Sequence, residues 1–226
     1  MKSYTFCLLF ILLFMVACAA DPQLRLPEMT AAEERQGKDA CADVFPQKNG
    51  GKWQFVHSID FTMKDGSGTT VVGVTTLDKN DIECALVTVE GLTLFEAAFR
   101  HDNSFEIRRA IAPFDKPEFA KGLINDIRAI FQQPPGTKMR KGQLAGAASV
   151  CRYIEVDGSV VDVLPDIDGC LQIKSYNPDL ILERSITGRS CREIGSSPIP
   201  DYIELKTFGR TGYTLKMTLI SIDNFK

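Results

Sequence analysis

Histidine and tryptophan are nearly absent: the 226-residue chain holds two of the first and one of the second. With only His57 and His101, far apart in sequence, a zinc site or a His-based triad is not indicated. His57 alternates with apolar residues and reads as a strand histidine; His101 opens a turn and reads as solvated. No Cys-x-x-Cys occurs, so neither a dithiol redox motif nor a zinc knuckle is present. Gly158-Ser159-Val160 lacks the second glycine of a nucleophile elbow and follows a hairpin turn. There is no glycine-rich phosphate loop, and the carboxylates are too scattered to nominate an acid–base pair. Asp166-Ile167-Asp168-Gly169 has a calcium-loop flavour but lacks the further oxygen ligands and distant Glu, and reads better as a strand turn. We therefore expect no enzyme: no catalytic residue, no metal and no cofactor. A formal charge of −3 without a basic block argues against nucleic acid as partner. Arg108-Arg109 and Lys138 to Lys141 are small basic clusters that read as solvated faces. No internal repeat is found.

Long apolar runs are also missing, with one exception at the start. After Lys2 the chain is uncharged and apolar from Phe6 to Ala20. A single Lys before a short apolar stretch is the pattern of an export signal. At about 15 residues it is shorter than the roughly 20 a spanning helix needs. It ends Met15-Val16-Ala17-Cys18-Ala19-Ala20, which resembles the lipobox of bacterial lipoproteins. That resemblance implies a diacylglyceryl group on the Cys18 thiol, cleavage before Cys18 and acylation of the new amine by a fatty acid such as palmitate. Several acyl chains make a stable anchor. Ala17-Cys18-Ala19 also fits the small-x-small pattern of ordinary cleavage, which would release a soluble protein. By resemblance to enterobacterial sorting, Ala19 rather than Asp after the Cys implies the outer membrane, with the domain facing the periplasm.

These readings divide the chain into a signal peptide at 1–17, an anchor and tether at 18–50, and a domain at 51–226. The segment after the anchor is polar, with Asp21-Pro22 early and Gln47-Lys48-Asn49-Gly50-Gly51 late, as in a linker that lets a domain stand off a membrane. A short helix around Ala31 to Gln36 is compatible with it. The domain is long enough for one sizeable core. Beyond the anchor lie Cys41, Cys84, Cys151, Cys170 and Cys191. An oxidising periplasm permits disulfides, and an odd number leaves at least one thiol over. Cys84 falls in an apolar strand pattern and is expected to be the buried free thiol. The other four allow up to two bridges of unspecified pairing.

From Lys52 the apolar period becomes two. Trp53, Phe55, Ile59, Phe61 and Met63 share one face, and Gln54, Ser58, Asp60 and Thr62 the other, as in a half-buried strand. Further strands are expected at 69–77, 82–89, 92–99 and 105–109, joined by the short turns Asp65 to Gly68, Asp78 to Asp81, Glu90-Gly91 and His101 to Asn103. This is an antiparallel meander. One helix interrupts it. Asp115 is placed to cap, with Glu118 as capping-box partner; Phe119, Leu123, Ile127 and Ile130 recur at helical spacing, and Pro134-Pro135-Gly136 ends it. A flexible stretch, 136–146, follows. Strands resume at 148–156 and 159–164 around Asp157-Gly158, then at 170–175 and 180–186. Gly188 to Pro200 is expected to be a longer loop, before a final hairpin at 202–208 and 213–222. The total is about eleven strands and one clear helix.

This layout resembles the LolA/LolB-like lipoprotein carrier and receptor family, and a related lipoprotein family of unknown function. The resemblance rests on the long first strand Trp53 to Met63 and on the meander Val71 to Arg109 leading into the helix Asp115 to Gln132. It rests also on the closing hairpin Pro200-Asp201-Tyr202-Ile203-Glu204-Leu205 with Gly212-Tyr213-Thr214-Leu215-Lys216-Met217. It implies a mainly β fold, an unclosed antiparallel β-barrel plugged by a helix, with a cavity for acyl chains. The receptor inserts an apolar loop tip between early strands into the membrane; here the turns Asp65 to Gly68 and Asp78 to Asp81 are polar. An apolar stripe of Trp53, Phe55, Phe61, Phe95, Phe99 and Phe105 lines either a cavity or a packed core, since both need apolar inward faces. The resemblance favours a cavity lined by Trp53, Phe55, Phe61, Phe95, Phe99, Phe119, Leu123 and Ile127. The expected partner is an acyl lipid or other apolar ligand; the alternative is a structural or assembly lipoprotein that binds another envelope protein through its sheet edges.

Overall fold

The computed structural model describes residues 24–31, 44–46, 51–102, 104–112, 114–145, 148–167, 170–194 and 197–225. Cys18, the signal peptide and Cys41 lie outside the described residues. Strand β1 is Thr30–Ala31. A meander follows: β2 Lys52–Met63, β3 Gly68–Asp78, β4 Asp81–Val87, β5 Thr93–Phe99 and β6 Phe105–Ala110. After helix α1, Pro117–Phe131, come β7 Lys138–Gln143, β8 Ser149–Ile154, β9 Val160–Ile167 and β10 Cys170–Tyr176. The chain closes with β11 Leu182–Ile194, β12 Ser197–Thr207 and β13 Tyr213–Phe225. All lie in one antiparallel sheet of order β1-β7-β8-β9-β10-β11-β12-β13-β2-β3-β4-β5-β6. β1 and β6 are its two edges and do not pair, so the barrel is unclosed, as expected.

Alternation sets which side faces in. Along β2 the odd residues Trp53, Phe55 and His57 are buried and the even ones less so. In register across the ladder, Trp53 meets Leu77 of β3 and Phe55 meets Thr75. Three turns carry the same device, Asp65/Ser67, Asp102/Ser104 and Asp157/Ser159. In each the Ser backbone N–H donates to the Asp Oδ1 at 2.9 Å, the Asx turn that Asp favours. Gly158 takes φ +89° at the tip of the third, where a side chain would be strained.

Three expectations are corrected. The stretch 136–146 is not a flexible link: Lys138–Gln143 forms β7, paired from Lys138↔Ile154 to Gln143↔Ser149. Its charged, largely exposed residues suit a strand near a sheet edge but show no alternation. Gly188–Pro200 is not a loop: β11 and β12 remain paired through Cys191↔Pro200 to Ile194↔Ser197. Pro198 and Pro200 stand where β12 has β11 on one side only, since pairing with β13 begins at Tyr202; a missing N–H costs least there. The Cys170–Cys191 disulfide ties this end to β10, worth about 3 kcal/mol for a loop of that size. Cys151 is also disulfide-bonded, its partner lying outside the described residues. Cys84 is the buried free thiol, and burial pushes it up to about 12, which leaves it inert at neutral pH. Finally, the capping box does not form. Lys116 is the N-cap, without a side-chain cap hydrogen bond. Pro117, with its fixed φ and no N–H, sets the start instead, which puts Asp115 one residue too early.

The segment expected as tether has two pieces packed on the domain. Residues 24–31 run as a strap over the convex face. Leu24 and Leu26 pack on Val160, Tyr176 and Leu182, the Leu26 N–H donates to the Leu180 carbonyl at 3.0 Å, and β1 pairs with β7. Gly142 permits that close approach, since a Cβ there would lie 2.4 Å from the Thr30 carbonyl oxygen. Beneath the strap, Arg152 donates from Nε and Nη2 to both oxygens of Asp162, at 2.7 and 2.8 Å, and from Nη2 to the Pro27 carbonyl at 2.9 Å. The second piece, Val44 and Phe45, is buried in the main core on the concave side.

Candidate functional site

The concave side is where the sequence concentrates its apolar residues, and α1 covers it. One face of α1 is apolar, so Ala120, Ile124, Ile127, Ile130 and Phe131 are buried. Its N-terminal end meets β5, with Phe119 edge-on to Phe95 at 6.0 Å between ring centroids. Its C-terminal end meets β2, with Phe131 stacked on Phe55 at 4.8 Å. Arg128 lies 4.9 Å over the Phe99 ring, a cation–π contact.

All eight expected lining residues fall in one apolar cluster. Trp53, Phe55, Phe95 and Ile127 are buried within it, and Phe61, Phe99, Phe119 and Leu123 pack half-buried against it. Phe105, also in the stripe, is instead exposed on edge strand β6. A cavity of about 20 Å³ remains near the C-terminal end of α1, lined by Phe55, His57, Ile130, Phe131, Ile186 and Ile203, with Val44 and Pro46 at its border. Of the eight, only Phe55 lines it. That volume suits one water molecule, far less than an acyl chain.

Three polar groups stand in this apolar interior, and of them only Asp126 was not singled out by sequence reasoning. His57 is buried on the inward face of β2, tilted against Phe131 at 6.1 Å. Desolvation lowers it to about 4, so the ring is neutral at neutral pH. The Trp53 Nε1 proton is buried and has no hydrogen-bond partner among the described residues. Asp126 stands on the inward face of α1. Its Oδ1 lies 3.0 Å from Arg184 Nη2 of β11, and its Oδ2 accepts a hydrogen bond from the Tyr213 hydroxyl of β13. The Arg184 Nε has no hydrogen-bond partner among the described residues. Burial raises the Asp126 carboxyl; Arg184 and then Tyr213 oppose that. Burial, then the Asp126 charge, raises the Tyr213 hydroxyl. The signal for Asp126 was in the sequence: an acid at the inward position between Leu123 and Ile130 of an amphipathic helix.

At the surface, the turn between β4 and β5 exposes Val89 (72 %) and Leu92 (51 %), so polarity holds for the first two hairpin turns but not the third. His101 is exposed and lies by Asp81. Among the described residues no three His, Cys, Asp or Glu side chains are grouped to hold a metal, and no helix is long and apolar enough to cross a membrane.

The sequence matches no protein-family model and no curated protein. The chain is similar in structure to a LolA superfamily protein from Nitrosomonas europaea, at 12 % identity and TM-score 0.49, over 83 % of this chain and 91 % of that one. It is similar also to a DUF1329 family protein from Desulfovibrio piger, at 9 % identity and TM-score 0.49, over 82 % and 90 %. A third likeness is to a domain assigned to outer membrane lipoprotein sorting from Vibrio parahaemolyticus, at 10 % identity and TM-score 0.46, over 77 % and 85 %.

Proposed function

We propose that this chain is a non-catalytic bacterial envelope lipoprotein, anchored at the outer membrane through acylated Cys18, whose half-barrel takes up an acyl chain or similar apolar ligand when α1 moves. The observation that carries the ligand reading is the construction of the concave side. A continuous apolar face is closed by one amphipathic helix. Among the described residues, a single ion pair, Asp126 with Arg184, joins that helix to the sheet. The exchange is energetically reasonable. Each buried apolar side chain of α1 loses about 1.5–3 kcal/mol on lifting, while an acyl chain gains about 0.8 kcal/mol per methylene. A long chain therefore roughly offsets the helix face it displaces. The anchor reading rests on the Met15-to-Ala20 pattern and the charge-free run before it.

Native mass spectrometry of residues 19–226, exported but unlipidated, tests the ligand reading. Adducts at lipid masses, lost on delipidating extraction and reduced in Leu123→Trp, are the expected result. A clean apo mass that does not shift when acyl lipids are offered would overturn it. A second reading would then stand, that of an assembly lipoprotein. The edge strand β6 is exposed along most of its length and shows Phe105 and Ile107 at 39 % and 41 %, an open edge for strand addition by an envelope protein.

A further inference from the structure

The antiparallel ladder from β8 to β13 sends alternate turns to the same end of the sheet. The β8–β9, β10–β11 and β12–β13 turns therefore form one rim. They touch: a Cβ on Gly158 would lie 3.9 Å from Pro178 Cβ, and the Phe208 N–H donates to the Glu183 carbonyl at 2.8 Å. Each turn exposes apolar side chains, Val156 (88 %) in the first, Leu180 and Ile181 in the second, Phe208 in the third. Single apolar residues at a surface need no explanation, but several exposed at neighbouring turn tips do.

The strap begins at this same rim. Arg25 bridges to Ile181 and Leu26 bonds to Leu180. Cys18 lies six residues before Leu24, and an extended chain of that length reaches about 20 Å. The 13 residues of β11 span roughly 40 Å, so the opposite end of the sheet is well beyond that reach. An acylated Cys18 would hold this rim, and not the far end, beside the bilayer. Exposed Arg25 and Arg210 are accompanied by Asp157 and Asp179, so the rim offers no one-sided charge; what it offers a bilayer is apolar area.

From the pinned strap and the apolar turn tips together, we propose that the rim formed by Val156, Leu180, Ile181 and Phe208 is a membrane-docking surface that seats the domain on the lipid bilayer with the β3–β4 turn pointing away. The inference rests on the reading of Cys18 as the lipid anchor.

The test uses the full chain, acylated and reconstituted in phosphatidylcholine vesicles with and without brominated acyl chains. The only native tryptophan, Trp53, is buried and supplies a constant background. In Val156→Trp, and in Phe208→Trp as a second rim site, the added emission should be roughly halved by brominated lipid, as for a group resting 5–10 Å into the interface. In Asn80→Trp, at the β3–β4 turn, it should not change. No quenching at either rim site, or equal quenching at Asn80→Trp, would overturn the docking surface. Intact mass of the N-terminal peptide separates the two claims. An acylated Cys18 with an unquenched rim sinks the docking surface alone, whereas an unmodified Cys18 sinks the anchor reading and this inference with it.

Discussion

Two arginines reach across the sheet to carboxylates on other strands, and their surroundings differ. On β6, Arg108 reaches Glu83 and Glu96 at 3.3 and 3.4 Å, and all three are partly exposed to solvent. On β8, Arg152 grips Asp162 from both nitrogens under the strap, where Asp162 has no exposure. The same chemistry serves a solvated face in one case and a buried joint in the other. The flank β8–β11 is covered on both faces, by the strap outside and the core inside, and is tied by disulfides at Cys151, Cys170 and Cys191. Among the described residues, the flank β2–β6 has cover on one face. The Arg152–Asp162 joint lies under the strap and α1 lies on the opposite, concave side, so the helix movement proposed above would not have to break that joint.

That contrast breaks most sharply at Arg152. Arg152→Ala leaves Asp162 buried and unpaired, and should cost about 3–5 kcal/mol in denaturant unfolding. Arg108→Ala should leave the midpoint unchanged, as is usual for exposed pairs. Similar losses at the two sites would mean that the strap does not exclude water and that the flanks are alike.

His57 probes the other flank. Its folded pKa is lowered to about 4 from 6.5, because burial favours the neutral ring. The unfolded chain takes up the proton first, so stability falls as pH drops from 6.5 to about 4, by about 3 kcal/mol in all. His57→Leu should lose that slope, which the difference between the two unfolding-versus-pH curves measures directly. Parallel curves would place the ring in water.

The smallest effect is expected at Asp126. Its carboxyl is raised from 3.8 by burial, so between 3.8 and the native value the native state binds more of the proton than the unfolded chain does. This contribution favours folding below 3.8 and is lost as pH rises through the native value. Asp126→Asn keeps an acceptor for Tyr213 and should shift stability by less than about 1 kcal/mol at neutral pH, while removing that pH dependence. Binding of a fluorescent fatty acid should become faster, since Arg184 no longer holds α1. An unchanged rate would mean the ion pair is not what retains the helix.

Much of this was legible in the sequence where one physical rule dominates. β2 was plain because Trp53, Phe55, Ile59 and Phe61 alternate, and α1 because Phe119, Leu123, Ile127 and Ile130 recur at its period. The same patterns placed the eight inward residues in a single cluster. β7 was hidden because Lys138 to Lys141 is polar on both sides and owes its strand to its neighbours. The extension of β11 and β12 was hidden by Pro198 and Pro200, which look like breakers unless it is known that one side of the strand is open. Whether the apolar face encloses space was not legible at all, because a packed core and a ligand chamber ask for the same side chains; only the position of α1 decides it.

The strap also has a bearing on time. Pro27 bonds a residue 125 positions later, and Thr30 one 113 positions later. The first part of the strap to be synthesised therefore finds no seat until β7 to β11 exist, and contacts so distant in sequence close late. The strap is made before any of the strands that seat it. Residues 24–31 therefore stay unseated for as long as β7 to β11 take to appear.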